Sequence, residues 1–551
     1  MIQVCLKTAN RSLLDRISSN LLAPTSILPA AKTMSATDAV LESAQSLGLE
    51  LDKNQIADYA SLMEKTRAAL KAVLETPDYQ PTPDLTQTPR QNIHFPNPDQ
   101  NPHNAWAYRF HCQHANPSTT RLAHRTVCLK DNIALADVPC LLGTAAFPPW
   151  TPVTDATTAT RILEASGVLV GKAVCENLSR GAVSATAATG PVHNPHAHGY
   201  SAGGSSSGTA ALVAGGEVDL GLGCDQGGSV RIPAALCGLV GLKATVGLVP
   251  YTGVASLEAG LDAVGPVTRT VGECAGLLGV IAGVDMEDDR QIAGTPWVED
   301  VPDYERDLAE REAEGVKGVR VGVLKEGLES PLMYSEIRRK FDEAVAQFER
   351  LGAEVVEVNV PMHKDSRSLY SVISKMGNHM GMQGRATGRR QVMLTDLYEN
   401  KGELRPESMQ KMSAMTKEGL LSGEYAWKTS PTAYPKSVNI GRKLKRVYDA
   451  ALRECDVLIM PTTVTPADPL PPANASPIDF AAGSSGKTEN TCPFNITGHP
   501  ALAMPIGFVP AKGDSSVKVP ASLQIVGRYW DEITVLRTAY ALEKSRDWRL
   551  C

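Results

Sequence analysis

No run of about 18 apolar residues, the length a membrane-spanning helix needs, occurs anywhere in the chain. The most apolar stretch, residues 274–284, is too short to cross a bilayer. Cys-x-x-Cys is also missing. The 11 cysteines are an odd number and are scattered from Cys5 to Cys551, which argues against a disulfide framework and for buried free thiols in a reducing compartment. Positive charge is not in excess: 54 Lys and Arg stand against 60 Asp and Glu, a net charge of −6. A dedicated nucleic-acid binder would show a basic stripe instead. Aromatic residues are only 5% of the chain, while 46 Gly and 37 Pro punctuate it. That balance excludes a helical bundle or coiled coil and points to many tight turns. With 551 residues the chain can bury a large core without metal or disulfide staples.

What is present divides into segments. Residues 1–33 carry Lys7, Arg11, Arg16 and Lys32 against the single acid Asp15, a pattern similar to a weak mitochondrial presequence. The alternative is that translation starts at Met34 and the protein is cytoplasmic, which is the expectation adopted. Residues 34–104 form an N-terminal segment. Leu47, Leu49, Leu51, Ile56, Tyr59, Leu62 and Met63 make a helical stripe, and residues 77–104, rich in Pro, Thr, Asn and Gln, read as a linker or surface loop. Residues 105–551 read as the main domain. Strands are expected at 126–129, 168–170, 218–222, 319–324, 355–360, 457–460, 501–504 and 523–526. Helices are expected at 156–165, 336–351 and 532–544. This alternation implies an α/β fold, a mixed twisted sheet covered by helices on both faces. Within it, residues 362–440 are a Met-rich helical insertion: eight of the 15 methionines lie between Met362 and Met415. Methionine suits either an adaptable substrate pocket or an irregular core.

The densest chemical signal lies in residues 199–247, which hold 13 of the 46 glycines. Three chemistries compete for it. A phosphate-binding loop would expose glycine N–H groups to an anion, but no Gly-Lys-Ser/Thr follows Gly208 and the glycine spacing misses the dinucleotide fingerprint. A nucleophile elbow is the second: Gly204-Ser-Ser206-Ser-Gly208 fits Gly-x-Ser-x-Gly, with His499 downstream. It needs a strand immediately before it, where a turn-rich stretch stands instead. The third is a Ser–Ser–Lys hydrolase. Serine becomes a nucleophile when a neighbouring base takes its proton, and lysine can be that base only when neutral, a form that burial favours. Lys130 ends the apolar run Val127-Cys-Leu129 and suits the part. Glycines beside a serine leave backbone N–H groups free to approach a developing oxyanion.

At this point the motifs resemble a known family. Val127-Cys-Leu-Lys130-Asp-Asn132, Gly171-Lys-Ala-Val-Cys-Glu176, Ala202-Gly-Gly-Ser-Ser-Ser-Gly208 and Asp225-Gln-Gly-Gly-Ser-Val-Arg-Ile-Pro233 are similar to those of the amidase signature family of Ser–cis-Ser–Lys amidohydrolases. The separations fit as well: 75 residues from Lys130 to Ser205 and 24 from Ser205 to Ser229. The likeness is strong over residues 121–281 and weaker to the C-terminus. It is closest to the enantioselective aliphatic and aryl amidases that follow nitrile hydratase in bacterial pathways. Gly247-Leu-Val-Pro-Tyr-Thr-Gly253 and Pro493-Phe-Asn-Ile-Thr-Gly-His-Pro500 belong to the same likeness, whereas Lys243-Ala-Thr stands where Lys-Pro-Thr is usual.

The resemblance implies roles. Ser229 is the nucleophile, Ser205 the bridging serine after a cis Gly204–Ser205 peptide, and Lys130 the general base. The N–H groups of Gln226, Gly227, Gly228 and Ser229 form the oxyanion hole. Asp225 and Arg231 pair to shape the loop, Ser206 holds Lys130, and Asn132 and Glu176 support the site. The amidase signature fold and hydrolysis of a small-molecule amide follow, with no cofactor, no metal, no nucleic-acid or membrane partner, and a homodimer through the N-terminal helices. Pocket walls are expected from residues 362–440 and 252–257. The alternatives are a glutaminase subunit of a tRNA-dependent amidotransferase and a catalytically silent binding protein on the same fold. His193-x-x-His196-x-His198 invites a zinc reading, but no carboxylate or cysteine lies within it. Solvent-facing loop histidines are its expected identity, and a packed histidine that of His499.

Overall fold

The Val-, Ile- and Leu-rich runs beyond residue 105 assemble into one large sheet. The computed structural model describes residues 34–384, 388–402 and 405–551, so the leader expected over 1–33 lies outside the described residues. The chain divides into two compact units between Tyr79 and Gln80. In the first, Ser35 caps the helix Ala36–Leu47 by accepting from the Asp38 N–H at 3.1 Å, and a second helix runs Ile56–Glu75.

The second unit begins with β1 (Arg90–His94), β2 (Trp106–Cys112), β3 (Thr126–Lys130) and β4 (Val168–Ala173). A small hairpin follows, β5 (His193–Asn194) and β6 (Ala197–Ser201), then β7 (Leu220–Asp225), β8 (Val240–Lys243) and β9 (Ala263–Thr268). The later strands are β10 (Arg320–Leu324), β11 (Glu354–Val358), β12 (Val457–Pro461), β13 (Ala501–Ala511) and β14 (Asp514–Gly527). Among the described residues all but the β5–β6 hairpin join one 12-stranded sheet, ordered β1-β2-β4-β3-β7-β9-β8-β13-β14-β12-β10-β11. Strand β3 is parallel to β4 and β7, and β10 is parallel to β11 and β12. The other pairings are antiparallel. Every residue of β7, β8 and β12 is buried. Since successive side chains point to opposite faces, both faces of the sheet are covered. The helix Ser335–Arg350 shows how: Ile337, Phe341, Ala344 and Phe348 recur at helical spacing, are buried, and face β13 and β14.

Six of the fourteen described strands escaped the pattern: β1, β2, β5, β6, β8 and β9. β1 lies inside the stretch expected to be linker, and pairs Arg90 with Cys112 and Gln91 with His111. Its side chains are mostly exposed, so it carries no apolar alternation. β2 and β8 were not foreseen either, and the β5–β6 hairpin stands in the stretch before Gly204 expected to be turn-rich. No element is expected over β9, which carries Gly265-Pro266, yet Pro266 sits opposite Leu222 in the middle of the sheet. Gly265 is there for space: a Cβ on it would collide with the Leu242 carbonyl of β8. Gly265→Ala is therefore expected to cost about 3 kcal/mol, the upper end for overpacking against a group that cannot rotate away. Gly272, in the helix Val271–Ile281, faces open space. Gly272→Ala is expected to be neutral or stabilising by up to about 1 kcal/mol. Thermal unfolding of the two variants checks the contrast.

Candidate active site

Parallel neighbours β3 and β7 bring two of the singled-out residues to the same end of the sheet. β3 ends on Lys130 and β7 on Asp225. The C-terminal ends of parallel strands are where open α/β sheets place ligands. Beyond β7 the chain passes through Gln226–Val230 into the short helix Arg231–Leu236. From β6 it runs through the cis Gly204–Ser205 peptide into the helix Ser207–Ala214. Lys130 is fully buried. Its Nζ donates to Ser205 Oγ at 2.8 Å and to the Cys224 carbonyl at 3.2 Å. The Ser206 N–H donates to the Ser229 carbonyl at 3.3 Å. Lys130, Ser205 and Ser229 thus gather from three chain segments, and Ser229 is the partly exposed one.

Two expected contacts are different. Ser206 does not bond Lys130. Its Oγ donates to the Cys224 carbonyl (3.3 Å) and accepts from the Cys224 N–H (3.2 Å). The lysine and Ser206 therefore meet on one shared carbonyl of β7, which stands between them. The Gly228 N–H is committed elsewhere: it donates to Asp225 Oδ1 at 2.7 Å. Gln226, Gly227 and Ser229 remain of the four N–H groups expected around an oxyanion.

The loop is held by one ion pair. All five guanidinium donors of Arg231 find acceptors: both oxygens of Asp225 (2.9 and 3.0 Å), the Thr491 carbonyl (2.9 Å), Gln524 Oε1 (2.8 Å) and Asn495 Oδ1 (2.7 Å). Asp225 also accepts from the Val230 N–H at 3.1 Å and from Asn495 Nδ2 at 2.9 Å. Both side chains are completely buried. Burial by itself would raise the Asp225 carboxyl. The adjacent Arg231 charge and the hydrogen bonds of Arg231 and Asn495 outweigh it and hold the carboxyl far below the usual range.

The supporting residues surround this frame. Glu176 donates its N–H to the Ser205 carbonyl at 3.1 Å. Its carboxylate takes the N–H groups of Ala185 and Thr186 and the hydroxyls of Thr186 and Ser207, while burial pushes its carboxyl up. Asn132 Oδ1 accepts from the Cys224 thiol at 3.2 Å, and its amide donates to the Ala255 carbonyl at 3.0 Å. Burial raises that thiol to about 11, so it is a neutral donor and not a nucleophile. Sequence reasoning missed Thr491, Gln524 and Tyr370. Thr491 Oγ1 donates to the Gly227 carbonyl at 2.6 Å, and a Cβ on Gly227 would strike the Tyr370 hydroxyl. Asn495 lies within the quoted Pro493–Pro500 motif, the one signal that could have found it.

A cleft of about 410 Å³, part of it open to solvent, adjoins this cluster. Its wall is made by Asn132, Leu142, Leu178, Ser179, Ala255, Ser256, Leu257, Gly381, Met382 and Lys401. Both segments expected to form pocket walls contribute. Of the insertion's methionines only Met382 lines the cleft, while Met376 and Met412 are buried core.

The histidines stay apart from the serine–lysine cluster. His499 is buried, bonded through Nδ1 to Thr497 Oγ1 (2.9 Å) and through Nε2 to Asp449 Oδ1 (3.1 Å). No nitrogen is left for Ser206, so the nucleophile elbow is not built. His193 and His198 stack at 4.0 Å instead of converging on a point. Among the described residues no cluster of three His, Cys, Asp or Glu side chains could hold a metal ion, and no helix is long and apolar enough to cross a membrane.

A buried lysine bonded to a serine at the strand ends of a large mixed sheet, with a second serine on the adjoining loop and His499 bonded elsewhere, marks out a class of α/β protein. The chain belongs to the amidase family, whose model matches residues 100–536. It is 36% identical over 498 residues to the enantioselective amidase of Rhodococcus rhodochrous, a match covering 88% of this chain and 91% of that protein. It is 32% identical to one component of the glutamyl-tRNA(Gln) amidotransferase of Synechococcus sp. (strain CC9902), covering 79% of this chain and 85% of the relative. Its fold resembles the peptide amidase of Stenotrophomonas maltophilia, with a TM-score of 0.65 and 25% identity across 94% of this chain and 97% of the other.

Proposed function

We propose that this chain hydrolyses a carboxylic acid amide to the carboxylate and ammonia or an amine. Ser229 attacks the carbonyl, and its proton passes through Ser205 to Lys130. The N–H groups of Gln226, Gly227 and Ser229 receive the oxyanion. Lys130 returns the proton, through the same serine, to the leaving nitrogen. Water then takes the place of the amine and the relay runs in reverse, releasing the acid. The observation that carries this reading is the 2.8 Å contact between buried Lys130 and Ser205, at a site whose loop is locked by Asp225 and Arg231. The chemistry calls for no cofactor. The reading goes with a cytoplasmic enzyme acting on a small molecule, with a second copy of itself as the expected partner.

A fluorophosphonate probe should label the protein stoichiometrically, and Ser229→Ala should abolish the label along with amide turnover. Labelling that survives in Ser229→Ala would place the nucleophile elsewhere. A silent binding protein would take no label at all. The likeness to the amidotransferase component supports a second reading, a glutaminase that hands ammonia to partner proteins. The free-standing amidase is favoured because its likeness extends over 88% of the chain against 79%. Glutaminase activity that depends on added partner proteins would reverse that order.

A further inference from the structure

Lys401 ends the helix Thr395–Lys401 and stands in the cleft wall. That wall is tied to the proposed machinery on two sides. Asn132 accepts from the Cys224 thiol, and the Cys224 carbonyl accepts from Lys130 Nζ. The Ser179 N–H donates to the Glu176 carbonyl at 2.7 Å, and the Glu176 N–H donates to the Ser205 carbonyl at 3.1 Å. A group bound in the cleft is therefore within the neighbourhood of Ser205 and Lys130.

Lys401 differs from the other lysines in the interior. Lys130 bonds Ser205, Lys172 bonds the Ile133 carbonyl, Lys243 bonds the Ala244 carbonyl at 2.8 Å, and Lys487 pairs with Asp468 at 3.0 Å. Among the described residues Lys401 has no hydrogen-bond or ion-pair partner; its ammonium lies 5.6 Å from the centroid of the Tyr398 ring. The carboxylates bonded to the 256–260 segment of the wall are already engaged. Asp262 accepts from Ser256 Oγ (2.5 Å) and the Leu257 N–H (2.9 Å), and Glu258 from the Tyr434 hydroxyl (2.9 Å) and the Gly260 N–H (3.2 Å). Burial lowers the Lys401 ammonium to about 8, so at pH 7 it is still mainly cationic. A half-buried cation without a counter-charge is unfavourable and is relieved by an arriving anion. Leu142, Leu178 and Met382 supply an apolar stretch of the same wall, suited to methylene groups.

We propose that Lys401 is a specificity-determining residue, and that the cleft takes an amide carrying a carboxylate remote from the scissile bond. This rests on the amidase reading and narrows its substrate class. The carboxylate pairs with the ammonium, the apolar wall covers the connecting chain, and the amide end faces the serines.

Matched substrates test it: glutaramate against pentanamide for a carboxylate on the acyl side, and N-acetyl-β-alanine against N-propylacetamide for one on the amine side. Wild type should favour the carboxylated member of at least one pair. In Lys401→Met the ratio of kcat/KM between those members should fall by about 10- to 100-fold, as loss of a charged hydrogen bond implies, and mainly through KM. Lys401→Arg should keep the preference. Absence of a preference in wild type, or a ratio unmoved in Lys401→Met, overturns the proposal. A binding arm does not depend on turnover: calorimetry with the favoured carboxylated amide and the Ser229→Ala protein should show binding that Lys401→Met in that background weakens. Equal binding also overturns the proposal. Turnover of neutral amides that requires Ser229 but ignores Lys401 would sink this inference alone, whereas failure of every amide together with absent Ser229 labelling would sink the amidase reading.

Discussion

Lys130→Ala is expected to abolish amide turnover, whereas His499→Ala should keep at least about a tenth of it. The contrast separates the two serine chemistries that the Gly204–Gly208 motif allowed. A positioned base contributes about 10²- to 10⁴-fold, and among the described residues Lys130 is the basic side chain bonded to a serine of this cluster. His499 spends both nitrogens on Thr497 and Asp449. Its removal leaves a cavity among Tyr448 and Tyr529 and disturbs packing, not proton transfer. Lys130→Arg sharpens the test, because arginine keeps the positive charge but cannot be deprotonated. It should be as inactive as alanine. If arginine supports turnover, the lysine is a fixed charge and not a base. The inverse result, an active Lys130→Ala with an inactive His499→Ala, would bring back the nucleophile elbow. Circular dichroism on each variant confirms that the fold persists.

How much of this could be read beforehand depended on whether the signal was local. Continuous apolar runs such as Val457–Pro461 announce themselves because both faces of a central strand are buried. β1 does not, being an exposed edge, and β9 does not, because Gly265 and Pro266 are poor strand formers and the crowding against Leu242 shows only in the structure. Lys130, Ser205 and Ser229 were singled out through motifs whose chemistry needs those residue types, and the fold gathers the three. The residues that hold them were harder to find. Thr491, Asn495 and Gln524 reach Arg231 from 260 to 293 positions away, and an isolated polar residue carries no mark of such a partner. Ser206 was misjudged for a related reason. Its place beside Lys130 in space is correct, but sequence spacing cannot show that the Cys224 carbonyl lies between them. Lys401 gave no signal either. At the C-terminal end of a helix a lysine is ordinary, and only its place in the cleft wall, unpaired among the described residues, makes it unusual.

Arg231→Met is expected to destabilise the protein by about 3–5 kcal/mol, the cost of breaking a buried ion pair from one side. The change would strand the Asp225 carboxylate and take the guanidinium donor from Gln524 Oε1 and Asn495 Oδ1, while the Thr491 carbonyl keeps the Phe494 N–H at 3.3 Å. Asp225→Asn should destabilise as well, because the single amide oxygen can replace only one carboxylate oxygen, keeping the Gly228 N–H (on Oδ1) or the Val230 N–H (on Oδ2) but not both, while the charge pairing with Arg231 is lost. Activity should fall in both, since the loop from Gln226 to Ser229 carries the proposed nucleophile and the remaining proposed oxyanion donors. Stability should also respond to pH with a definite sign. The Asp225 carboxyl sits far below its unfolded value of about 3.9. Its contribution is therefore complete above that value and is withdrawn only as the pH falls toward the folded value. Removing Arg231 takes away the main interaction that depresses it, so acid unfolding of Arg231→Met should begin at a higher pH than in wild type. Urea unfolding at pH 7 and acid titration followed by tryptophan fluorescence measure both effects. An Arg231→Met protein within about 1 kcal/mol of wild type, below the cost of an orphaned buried charge, would show that Thr491, Asn495 and Gln524 hold the loop without the guanidinium.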